Sequence, residues 1–194
     1  MANDGVIGRG GVLIGVSLTV PEPYGSLIQD ARAGYGDTRA HGIPTHVTLL
    51  PPTEVPLSAL PDVDAHLARA AADHRPFRVT LRGTGTFRPV SQVVFVQLEQ
   101  GVRECVALEA SVRSGPLARE LAFPYHPHVT VAHDLPAEAL DRAFADLRGF
   151  EAGFPVEGFS LHRFSTDDEA WRPLRRYGFP GAAPAPGRAS ATGC

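Results

Sequence analysis

Two copies of one short pattern constrain this chain more than any other feature: His46-Val47-Thr48-Leu49 and His128-Val129-Thr130-Val131, 82 residues apart. The β-branched and apolar residues in each favour extended backbone, and along a strand residues i and i+2 point to the same side. His46 and Thr48 therefore share one face of their strand, as do His128 and Thr130 on theirs. A chain of this composition is expected to contain less than one bare H-x-T by chance, so a single copy carries little weight. Both copies, however, have Val at the centre, an aliphatic residue after Thr, a Pro just upstream (Pro44, Pro127) and a Pro soon after (Pro51, Pro136). A duplicated unit is the expectation. If the two units pack about a pseudo-twofold axis, two imidazoles and two hydroxyls converge on one cleft, which suits acid-base chemistry on a phosphate.

With Pro51-Pro52 after the first motif and Pro124-Tyr125-His126-Pro127 before the second, the chain resembles the 2H phosphoesterase superfamily. The resemblance is to its branch of 2′-5′ RNA ligase-like proteins and 2′,3′-cyclic phosphodiesterases, and it runs from residue 11 to residue 178. It implies an α+β, bilobal fold: two pseudo-symmetric lobes, each with a mostly antiparallel sheet and flanking helices, an active-site cleft between them and no metal. It also implies a product that keeps a 2′-phosphate. One position departs from the pattern, since many RNA ligase-like members carry a basic residue after the second motif where this chain has His133.

Composition narrows the chemistry. A hydrophobic share of 43% and a charged share of 20% are those of a globular protein with room for one core or two lobes sharing one. No apolar run approaches the roughly 18 residues of a membrane span. Met1 to Gly10 is neither basic nor apolar enough for a signal peptide, so a cytoplasmic protein with no membrane partner, and a monomer, is expected. The only cysteines are Cys105 and Cys194, placed in a helix and at the chain's end, so no structural disulfide is expected.

All 18 basic residues are Arg. The absence of Lys excludes a nucleotidyl-lysine intermediate, a Schiff-base lysine and the lysine of a Walker loop, and with them ATP-driven ligation. Ligation here would be transesterification of an already activated cyclic phosphate, the reverse of cleavage. A net charge of −3 argues against wrapping a long polyanion, which leaves a small nucleotide or an RNA end.

Along the chain, Val12 to Val20 alternates as a strand and Glu22 to Gly34 reads as a helix. A loop over Gly34 to Gly42 leads to the first motif strand. Leu60 to Ala70 has helical spacing after Pro56, and Phe77 to Leu81 with Val93 to Leu98 suggests a hairpin around Arg88-Pro89. Val102 to Val112 is a helix stopped by Gly115-Pro116, and the second motif strand covers Pro127 to His133. A helix follows Pro136, closed by Gly149. Phe154 to Phe164 reads as one strand, Asp167-Asp168-Glu169 as a turn and Trp171 to Phe179 as a last strand. The expected order is β-α-β-α-ββ-α-β-α-ββ, with residues 11–179 as one bilobal domain between a flexible N-terminus (1–10) and a disordered Gly/Ala/Pro-rich tail (180–194).

The chemistry expected of this constellation is the opening of a 2′,3′-cyclic phosphate. One imidazole removes a proton from water and the other gives one to the departing ribose oxygen, both near their reference pKa of about 6.5. His46 and His128 are the expected acid-base pair, and Thr48 and Thr130 the expected phosphate ligands. Tyr125, His133 and Phe87 are candidates to line the substrate; Phe95 reads as core. Arg172, Arg175 and Arg176 on the last strand are candidates for further phosphates or a charged edge strand. No cofactor is implied. Two other classes stay open: a binding module that recognises an RNA end or nucleotide without catalysis, and a metal-dependent hydrolase built on the His126-x-His128 spacing with His133 or His46.

Overall fold

The first strand, β1 (Gly11–Thr19), turns Val12, Ile14, Val16 and Leu18 into the core and presents Gly15, Ser17 and Thr19 to the other side. The computed structural model describes residues 11–165 and 170–182. Helix α1 (Tyr24–Gly34) follows, then β2 (His46–Pro56), which carries the first motif, and α2 (Leu60–Ala72). Pro61 presets φ in the first turn of α2, and Asp62 complements its dipole there. Strands β3 (Phe77–Thr86) and β4 (Val93–Gln100) form the hairpin that the alternation predicts. Gly101, at φ +90°, turns the chain from β4 into α3 (Val102–Val112) in a conformation that side chains disfavour. The second motif strand, β5 (His128–His133), precedes α4 (Ala137–Asp146), β6 (Glu151–Val156), β7 (Gly158–Ser165) and β8 (Ala170–Gly178).

All eight strands form one antiparallel sheet in the order β6-β3-β4-β5-β2-β1-β7-β8. The two motif strands lie side by side at its centre, joined by one pair, Val47 opposite Val129. On either side of that seam stand four strands, and the units β1-α1-β2-α2 and β4-α3-β5-α4 repeat one another. The α+β architecture with two antiparallel halves is therefore present, but the halves are not consecutive pieces of chain. The half holding β1 and β2 is completed by β7 and β8, from the other end of the sequence.

Helices cover one face of the sheet and close the seam. Helix α1 packs against β5 and α3 against β2, each crossing to the opposite half. Ile28, Leu67, Leu108 and Leu140 from the four helices join Val47, Leu49, Val129 and Val131 in one continuous core. Among the described residues no helix is long and apolar enough to cross a membrane.

Two readings need correction. The stretch 154–164 is two strands, because the pairing changes at Glu157: β6 pairs with β3 at one edge of the sheet, whereas β7 pairs with β1 in the other half. Helix α1 starts at Tyr24 rather than Glu22. The expected N-terminal segment 1–10, the turn at 167–169 and the tail beyond residue 182 lie outside the described residues.

Candidate active site

Because Val47 and Val129 are partners in an antiparallel pair, His46 stands opposite Thr130 and Thr48 opposite His128. All four side chains share the face away from the helices, since the intervening valines are buried in the core. The pseudo-twofold axis thus places each imidazole across from the other motif's hydroxyl.

The two histidines are held alike. His46 Nδ1 lies 2.6 Å from the carbonyl of Pro44, and His128 Nδ1 lies 2.7 Å from the carbonyl of His126. A carbonyl only accepts, so Nδ1 carries the proton in both rings, and the neutral ring keeps its lone pair on Nε2. Phe87 and Phe95 brace His128, with ring centroids 5.0 and 5.1 Å from it. Burial pushes the pKa of His46 down to about 4, overcoming the opposing pull of the Pro44 carbonyl; Arg32, His162 and His128 depress it further. Burial lowers His128 as well, with His126 and His133 adding to the effect.

A cavity of about 360 Å³ opens over this face. His46, Thr48, Thr130 and His133 line one end, and from there it runs across β1 to His162 and Trp171 on β7 and β8. Arg32 and Arg39 line its wall. Arg32 is a buried cation fixed by Asp37 at 2.8 Å and by the carbonyl of Ile43 at 2.9 Å. His162 and Trp171 carry no motif of their own; only the pairing of Gly15 with His162 across β1 and β7 brings them to the site.

The other expected substrate residues are dispersed. Tyr125 is absent from the cavity wall. Its hydroxyl donates to the Thr48 carbonyl at 2.8 Å, so it ties the loop before β5 to β2. Phe87 meets His128 edge-on, and neither ring lines the cavity itself: of the four motif side chains, His46, Thr48 and Thr130 line it and His128 stands beside it, opposite Thr48. His133 lines it and pairs with Asp134 at 3.2 Å. Arg175 is turned elsewhere, paired with Asp64 of α2 at 2.6 Å beside the Tyr177 hydroxyl. Arg176 lines a separate hollow with Thr19 and Ser160. Among the described residues no group of three or more His, Cys, Asp or Glu side chains is arranged to hold a metal. Cys105 is buried, which pushes its thiol up to about 12.

A family model described as the 2′-5′ RNA ligase superfamily matches residues 20–168. The chain belongs to that superfamily. Among relatives of this 2′-5′ RNA ligase-like protein, one from Oceanobacillus iheyensis named as a candidate phosphoesterase is 26% identical over 137 residues. The match covers 70% of this chain and 79% of the relative. A similarly named protein of Bacillus licheniformis is 31% identical over 131 residues, 66% of this chain and 76% of its own. Among solved structures, E. coli LigT in complex with NADP+ aligns with a TM-score of 0.63 at 23% identity, over 87% of this chain and 98% of LigT. A Thermus thermophilus protein aligns at 0.58 with 26% identity, over 88% and 100%. The fold is that of the 2H phosphoesterases, and phosphoester hydrolysis is the activity class the family supports.

Proposed function

We propose that this protein is a phosphodiesterase that opens 2′,3′-cyclic phosphates on nucleotides or RNA ends with His46 and His128 as its acid-base pair. The observation that carries the proposal is the matched pair of Nδ1–H donations to carbonyls two residues upstream, on adjacent strands paired at Val47 and Val129, which leaves the Nε2 of each ring for proton transfer. A solved complex of E. coli LigT with 3′-AMP is consistent with a nucleotide at such a centre.

Burial by itself holds both rings neutral. A phosphodiester anion between them reverses that balance for one ring, because an opposite charge within a few ångströms favours the imidazolium. The neutral imidazole then takes a proton from the attacking water as its oxygen bonds to phosphorus. The imidazolium gives its proton to the ribose oxygen as the P–O bond to that oxygen breaks. Thr48 and Thr130 donate hydroxyl hydrogen bonds to the two non-bridging oxygens, where charge builds in the transition state. Replacing water by a ribose 5′-hydroxyl gives the same displacement with a different nucleophile: its oxygen bonds to phosphorus as the P–O bond to the 3′ oxygen breaks, a 2′-5′ joining reaction that consumes no ATP.

A panel of 2′,3′-cyclic mononucleotides and oligonucleotides, with phosphorus NMR of the products, tests the reading. Each of His46→Ala and His128→Ala is expected to lower kcat by about 10²- to 10⁴-fold in a folded protein. Near wild-type turnover in either variant, on every cyclic phosphate tried, overturns the two-histidine mechanism.

A further inference from the structure

We infer that the end of the cavity remote from the His–Thr centre is a nucleobase site, in which Trp171 supplies the stacking surface and His162 a hydrogen-bonding edge. The inference rests on the phosphodiesterase reading and narrows its substrate to nucleoside cyclic phosphates that are gripped through their own base.

Three observations place the site. Trp171 lies over the backbone of β1 at Gly15, where an added Cβ would fall 2.4 Å from indole Cη2. The strand is therefore cleared at that residue for the indole, which lines the cavity. Next, His162 and Phe164 meet the indole at 80° and 64°, with centroids 6.0 and 5.6 Å away. No aromatic ring among the described residues lies parallel to it, so a flat heterocycle has a π surface to stack on. Finally, His162 lines the cavity beside the indole, and a neutral imidazole there offers one donor and one acceptor nitrogen to a base edge.

The spacing matches one nucleoside. Thr48 pairs with Ser17, and Ser17 with Ser160, two residues from His162. Two strand spacings and two residues of rise separate the backbones of Thr48 and His162 by about 12 Å. Side chains reaching inward from both ends leave the span of a ribose and its base. The two ends are close enough for a charge on His162 to depress His46. The lining offers a base apolar surface in Ile43 and Pro44; of its two cations the buried Arg32 is already matched by Asp37, and Arg39 is left for a phosphate of the same nucleotide.

Trp171 is the only tryptophan in the chain, so its fluorescence reports the site directly. In the full-length wild-type protein, adenosine and uridine 2′-monophosphates are expected to change that fluorescence saturably. They should also bind at least about tenfold tighter than ribose 2-phosphate, the scale of a lost base–aromatic stack. In Trp171→Ala, the ratio of kcat/KM for adenosine 2′,3′-cyclic phosphate to that for base-free glycerol 1,2-cyclic phosphate should fall at least about tenfold, mainly through KM; Trp171→Phe should recover most of it. Equal binding of nucleotide and ribose phosphate with unmoved fluorescence overturns the base site, as does an equal loss on both substrates in Trp171→Ala. If no cyclic phosphate is cleaved while nucleotides still perturb Trp171, hydrolysis fails and the base site stands.

Discussion

At the residue scale, the histidines show how local backbone prepares a side chain for proton transfer. The Pro immediately before Thr45 and the Pro immediately before His128 hold the approach to each motif strand extended. The carbonyl two residues before each ring is thereby set to receive Nδ1–H. Burial then keeps His46 neutral down to about pH 4, whereas in the unfolded chain it titrates near 6.5. Between those values the unfolded state binds the proton and the folded state does not, so this residue's contribution to stability is whole above about pH 6.5 and is lost as the pH falls toward 4. The melting temperature is accordingly expected to drop on acidification through that window, and to drop less steeply in His46→Gln, which cannot titrate. An identical slope in the variant would mean that His46 is solvated as an ordinary imidazole. The H-x-T pairs were legible from composition and spacing alone. The tautomer was not, because it depends on which carbonyl the ring meets.

At the scale of elements, strands and helices follow their periodicities closely, and the failures have one cause. Phe154 and Val156, then Phe159 and Leu161, keep apolar residues coming across a change of partner strand, and the one-residue slip of phase between the pairs does not by itself distinguish one bulged strand from two short ones. Gly158 marks the place in retrospect, since its missing Cβ lets the backbone of Tyr177 approach. The same limit hid Trp171 and His162, whose place beside Gly15 is a matter of register between distant strands. It also drew Tyr125 toward the substrate on sequence proximity to His128, whereas its hydroxyl fastens a loop to β2. That difference is measurable. Tyr125→Phe removes one neutral hydrogen bond, so it should cost about 1 kcal/mol, or about 2–4 °C in Tm at this chain length. KM should stay within about twofold of wild type. A large rise in KM with unchanged Tm would restore Tyr125 to the substrate.

At the scale of the molecule, the seam between the lobes explains why the site has two faces and one core. Backbone pairing across it amounts to Val47 with Val129, too little to hold two four-stranded halves in register. What joins them is the exchange of helices, α1 onto β5 and α3 onto β2, so that burying either helix requires both lobes. The chain path adds a second interlock, because β7 and β8 return from the C-terminal side to complete the lobe begun by β1 and β2. Duplicated motifs in a sequence invite a picture of two consecutive halves, each able to fold by itself; the pairing of β1 with β7 excludes it. Phe159, Leu161, Tyr177 and Phe179 are all buried in the common core, and losing them would uncover the apolar face and one edge of β1. A chain ending after Val156 should therefore lose its cooperative thermal transition and native circular dichroism, even though both H-x-T motifs remain in it. The intact chain should melt in one transition, with tertiary and secondary signals lost together. A truncated protein that still melted cooperatively would show that the lobe carrying β1 and β2 does not need its returning strands, and the interlock would have to be abandoned as the source of the site's rigidity.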